Sequence, residues 1–154
     1  MALDLVAILV REPALPARTP RWLPQAEEFL RAHASAPVGL RDVAAAVGVH
    51  PVYCARAFRR AIGCTVSTYL RALRLLDAGR LILEEKNSLA DVALRVGFAD
   101  QAHFTRSCSR DLGFPPGRLQ RMRKQLFPAA AGSSDSSRSG SSRSRRRAPA
   151  SPTL

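Results

Sequence analysis

Asp42-Val43-Ala44-Ala45-Ala46-Val47-Gly48 returns 49 residues later as Asp91-Val92-Ala93-Leu94-Arg95-Val96-Gly97. Beyond the two motifs, after one extra residue in the second copy, Gly63 matches Gly113 and Tyr69 matches Leu119. Each copy reads as a short helix, a glycine turn and a longer helix. Ala44 and Ala93 lie four residues before their glycines, where a small side chain lets a second helix come close. Gly48 and Gly97 supply the positive φ of a tight turn between helices. Cys54 with Phe58, and Phe104 with Cys108, put two apolar groups on one face of each longer helix. This is the layout of a helix-turn-helix, whose second helix enters the major groove of DNA. A helical hairpin repeat of solenoid type is the alternative, and the charge of the chain weighs against it.

Working outward from the repeat, residues 20–127 are helical in pattern throughout, with Gly- or Pro-marked breaks and no alternating β pattern. Helices are expected at 21–33, 40–47, 51–62, 66–85, 89–96, 100–112 and 116–125, making the fold class all-α with seven helices. Pro51 suits a first helical position, where no N–H is needed. Ser88-Leu89-Ala90-Asp91 reads as a capping-box variant. In the helix at 66–85, Val66, Leu70, Leu73, Leu76 and Leu83 form the expected apolar side, with Arg71 and Arg74 on or near the opposite side. Its twenty residues span roughly 30 Å, against about 34 Å for one turn of DNA. Such a spacer could place two recognition helices in successive major grooves, so one chain is expected to cover a full site of about two turns. Gly79, which costs about 1 kcal/mol in a helix interior, is its weak point.

The chain has 154 residues, 24 Lys+Arg against 12 Asp+Glu, a net charge of +12 and 46% hydrophobic residues. Such positive charge points to a polyanion partner. Its distribution suggests three parts. Residues 1–19 sum to zero charge and begin with an apolar stretch, Ala2–Val10; residues 11–20, with Pro13, Pro16 and Pro20, read as a linker. Ala2–Val10 reads as the last turns of a helix, either left from a larger preceding domain or packed on the folded region. Residues 20–127 carry 17 bases and 9 acids and form the folded part. Residues 128–154 are almost wholly Ala, Ser, Arg, Pro and Gly, and are expected to be disordered. Their Arg143, Arg145, Arg146 and Arg147 either add phosphate attraction or form a solvated tail without a role. Leu5–Val10 is too short to span a bilayer and lacks a preceding basic region, so neither a membrane partner nor a secretory signal is expected. Three cysteines without a CxxC pair fit a reducing compartment. The expected location is cytoplasmic, with the nucleoid.

The stretch Trp22-Leu23, Leu40–Gly48, Arg56, Phe58-Arg59-Arg60, Gly63, Tyr69-Leu70-Arg71, Leu89–Phe98, Asp100-Gln101, His103-Phe104, Arg106, Gly113 and Pro116 resembles the DNA-binding domain of AraC/XylS-type bacterial transcription regulators. The resemblance covers about residues 20–125 and implies two three-helix lobes, each with a helix-turn-helix, joined by a long linker helix. It further implies a sequence-specific regulator acting on promoter DNA, with RNA polymerase as a further partner. Three positions depart from the family pattern. Cys54 stands for the usual Leu, Cys108 for a large aromatic, and Ser109 for a base. A large-to-small core change such as that at Cys108 costs about 3–5 kcal/mol unless neighbours fill the space. Against that pattern, the family's N-terminal sensor domain is expected to be missing from this sequence, or reduced to Ala2–Val10.

Inward Cys54 and Phe58 turn Val52, Tyr53, Ala55, Arg56, Arg59 and Arg60 outward. Inward Phe104 and Cys108 likewise expose Gln101, Ala102, Thr105, Arg106, Ser109 and Arg110. Arg56 and Arg106 can bond guanine O6 and N7 bidentately, and Gln101 can read adenine. Val52 and Ala55 suit thymine methyls, and Thr105 completes the expected base-reading set. Tyr53, Arg59, Arg60, Ser109 and Arg110 are expected at phosphates, where they set register. By resemblance, Val52, Arg56, Gln101 and Arg106 fall where family members contact bases. Small Ala102 and uncharged Ser109 imply that the second unit contributes less affinity.

An enzyme is not expected: no Gly-rich phosphate loop, HExxH or paired catalytic carboxylate occurs. His50, Cys54, Cys64 and His103 match no closed zinc spacing, so no metal and no cofactor are expected. His50 reads instead as a helix cap, and Cys54 and Cys108 as small hydrophobes rather than redox sensors. Double-stranded DNA is the expected partner, one monomer sufficing for one site. The competing class is a charge-driven, non-specific nucleic-acid or architectural protein.

Overall fold

Local chemistry starts and stops each helix. His50 Nδ1 accepts from the Val52 N–H at 3.3 Å ahead of Pro51, the first helical residue. Ser88 Oγ accepts from the Asp91 N–H at 3.1 Å and donates back to the Asp91 carboxylate. Asp100 Oδ1 accepts from the His103 N–H at 2.6 Å. Each bond satisfies one of the N–H groups a helix start leaves unpaired. Gly63 and Gly113, with φ of 88° and 81°, end the two longer helices in the left-handed conformation that only glycine adopts without strain.

In the computed structural model, residues 19–84 and 87–128 are described. The apolar stretch and linker at residues 1–18 and the Arg/Ser tail beyond 128 lie outside them. The elements are α1 (Leu23–Ala32), α2 (Leu40–Ala46), α3 (Pro51–Ile62), α4 (Val66–Glu84), α5 (Leu89–Arg95), α6 (Gln101–Leu112) and α7 (Pro116–Leu126). All seven expected helices are present, and no strand occurs among the described residues.

The apolar residues form two separate cores. Leu23, Leu30, Val43, Ala44, Cys54, Phe58, Val66, Tyr69, Leu70 and Leu73 belong to the first. Leu75, Ala78, Ile82, Val92, Ala93, Val96, Phe98, Phe104 and Cys108 belong to the second. The repeat is thus a repeat of packing. Val43 and Ala44 in α2, and Val92 and Ala93 in α5, are all fully buried. So are Phe58 and Phe104, whose removal from water stabilises each lobe by about 1.5–3 kcal/mol per ring. Phe58 meets Tyr69 edge-on at 5.6 Å between centroids, and Phe104 lies 5.3 Å from Phe98.

Helix α4 enters both cores, and its second half departs from the expected apolar side. At about 100° per residue, Leu75 lies roughly 200° around the helix from Leu73. The face buried in the second lobe, Leu75, Ala78 and Ile82, is therefore nearly opposite the one buried in the first. Leu76 and Leu83, expected inside, are 52% and 43% exposed on a third side. A single stripe cannot serve two cores on opposite sides of one rod. Arg71 and Arg74 do not face solvent freely either. Arg74 donates from Nε to the Ala34 carbonyl at 2.7 Å and from Nη2 to the Ala36 carbonyl at 2.8 Å. Arg71 Nε donates to Asp111 Oδ2 near the end of α6.

Candidate nucleic-acid interface

Burying Cys54 and Phe58 fixes the rotation of α3, and with it the face turned to solvent. Val52, Tyr53, Arg56, Arg59 and Arg60 are exposed, while Ala55 is half-buried between them. Trp22, just ahead of α1, meets the Tyr53 ring edge-on at 6.1 Å and steadies it at the border of this face. In α6, Phe104 and Cys108 play the matching part. Gln101, Ala102, Arg106, Ser109 and Arg110 are exposed and Thr105 is half-buried. Each expected set therefore lies on one outward helix face, except that Ala55 and Thr105 offer only part of their surface. Among the described residues, Arg56, Arg59, Arg60 and Arg106 pair with no acid.

Arg110 differs from the expectation of a free phosphate ligand. Its Nε and Nη2 donate to Asp111 Oδ1 and Oδ2 at 2.8 and 3.2 Å. Asp111, which the sequence reading passed over, is buried and takes Arg71 on the same carboxylate. Burial alone would raise its carboxyl, but hydrogen bonds and charge from Arg110 and Arg71 outweigh it and hold the group below the usual range. The one available signal was an acid inside an otherwise basic recognition helix, at the position where the first copy has Ala61. Among the described residues, the second face thus keeps one unpaired arginine where the first has three.

The thiols are ill suited to sensing. Burial pushes Cys54 up, and burial with the nearby Asp111 charge pushes Cys108 up to about 12. Both are neutral, enclosed groups. His50 is occupied as a cap, and His103 is exposed and meets Phe98 edge-on, with 5.3 Å between ring centroids. No helix among the described residues is long and apolar enough to cross a membrane.

Residues 43–122, spanning both units, match the helix-turn-helix domain family. The probable transcription factor PqrA of Proteus vulgaris is 37% identical over 65 residues, 42% of this chain and 53% of PqrA. The chain thus spans about half the length of that relative and about a third of a Bacillus subtilis one. A transcriptional regulator with an AraC-type DNA-binding domain from Chromobacterium violaceum superposes with a TM-score of 0.63 at 27% identity, over 67% of this chain and 92% of that one. The DNA-binding domain of AdpA, solved with a target DNA, shares the fold with a TM-score of 0.64 at 24% identity, over 69% and 96%. The chain belongs to the AraC/XylS-type helix-turn-helix family of DNA-binding transcription regulators.

Proposed function

We propose that the chain binds promoter DNA sequence-specifically, with α3 and α6 in successive major grooves on one side of the duplex. The observation that carries this reading is the pairing of two exposed recognition faces, each backed by its own core and both mounted on α4. Arg56, Gln101 and Arg106 read base edges, with Val52, Ala55 and Thr105 packing beside them. Tyr53, Arg59, Arg60 and Ser109 hold phosphates, and Arg110 does so only through the part of its side chain left free by Asp111. The nineteen residues of α4 span about 28 Å, close to one turn of DNA. One monomer therefore fills one asymmetric site, and RNA polymerase is the partner met once it is bound. The work is done on the nucleoid in the cytoplasm, without cofactor, metal or catalytic step.

Competition separates this from charge-driven coating. DNA enriched by the protein from a random library should outcompete unselected DNA by about 10³-fold or more at physiological salt, at one chain per duplex. Equal competition by both DNAs would replace the reading with non-specific binding. Two chains on every minimal site would overturn the monomer assignment.

A further inference from the structure

The two lobes meet at residues 34–36, the loop after α1. Arg74 donates to the carbonyls on either side of Ser35, at 2.7 and 2.8 Å, and thereby holds that loop against α4. Gly97, the turn glycine of the second unit, lies against the same residue. A Cβ at Gly97 would stand 2.5 Å from the Ser35 carbonyl oxygen and 2.9 Å from its carbon. Gly48, the matching glycine of the first unit, has open space at that position. The two turns are alike in conformation, with φ of 68° and 88°, but only the second one is a contact surface. A further tie comes from Arg71, which lies among first-core residues in sequence and reaches Asp111 in α6.

We infer that this joint fixes the angle between the two recognition helices, and that Arg71, Arg74, Gly97 and Asp111 are positioning residues for the half-site spacing the protein accepts. The inference rests on the DNA reading above. Helix α4 fixes separation, but it leaves the first core after Leu73 and enters the second at Leu75, and a tilt of the lobes about that turn would disturb neither core. The joint closes that freedom through backbone carbonyls, a glycine contact and a buried carboxylate. One inserted base pair turns a half-site by about 35° and moves it about 3.4 Å. A rigid pair of readers then loses one set of contacts, whereas a hinged pair follows the displaced site.

Two measurements test this. The first uses no DNA: spin labels on Ala46→Cys and Ala90→Cys, both exposed, in a Cys64→Ser background, the buried Cys54 and Cys108 staying unlabelled. One narrow distance peak is expected, broadened or displaced by Arg71→Met and by Gly97→Ala, and restored by Arg71→Lys, which keeps the charge facing Asp111. The second uses DNA selected by the unaltered protein, with one base pair then inserted between half-sites. The unaltered protein should lose about tenfold or more in affinity, and Arg71→Met about threefold or less relative to its own uninserted site. An unchanged distance peak in both variants, or an unchanged spacing penalty in Arg71→Met, overturns the inference. Should no DNA be selected, the DNA reading fails, and the distance measurement still decides the joint.

Discussion

Raising the pH should invert the stability order of the natural chain and Cys108→Ala. Cys108 is 2% exposed, and burial together with the Asp111 charge lifts its thiol from 9.0 to about 12. A thiol raised on folding favours the native state only while it stays protonated there. Its contribution is thus whole below about pH 9 and declines as pH climbs toward 12, because the unfolded chain releases the proton first. At about 1.4 kcal/mol per pH unit, the loss is about 2 kcal/mol at pH 10.5. Removing the sulfur costs about 1 kcal/mol of packing at neutral pH. The variant should therefore be the less stable protein at pH 7 and the more stable one at pH 10.5. Urea unfolding of both proteins, followed by helical circular dichroism under reductant, gives the two curves. Parallel curves from pH 7 to 10.5 would refute the reasoning, since Cys54, Cys64 and Tyr69 titrate alike in both.

Acid should act through Asp111 with the opposite sign. Its carboxyl is held low in the fold, so its contribution is whole above the ordinary Asp value of about 3.9 and is lost as pH falls below it. Asp111→Asn should flatten the acid limb of the stability curve, and an unaltered limb would contradict this. Arg56→Ala should cost about 1–3 kcal/mol of binding and relax base preference, whereas Arg59→Ala should weaken all sequences alike and lower the salt slope by about one. Binding titrations over several salt concentrations distinguish the two; identical, sequence-blind losses would withdraw the base-reading role of Arg56. Ser88→Ala removes the cap of α5 and should lower stability by about 1 kcal/mol in thermal or urea unfolding.

The helices were legible because their signals are local. Pro51, Ser88, Gly48 and Gly97 act within a turn of their own position, and their spacing carried the repeat. The exposed faces of α3 and α6 followed from two apolar residues on each helix, since those alone fix the rotation. The inner face of α4 was not legible in the same way. Leu73, Leu75 and Leu76 crowd three sides of one turn, and which of them is buried depends on where the second lobe sits. The same limit applied to Asp111. Its partners lie 40 residues back and one residue away, and no periodicity announces a carboxylate shared between Arg71 and Arg110. Gly97 was readable as a turn, but its contact with Ser35 belongs to tertiary structure alone.

The division of the apolar residues into two cores has a mechanical consequence. No buried side chain is common to both, and the change-over from one to the other takes place between Leu73 and Leu75. Like neighbouring units in a short array, the halves then communicate through a narrow seam rather than a common interior. A cavity cut into one half should speed amide exchange throughout that half while the other retains its protection, so damage to one reader spares its twin.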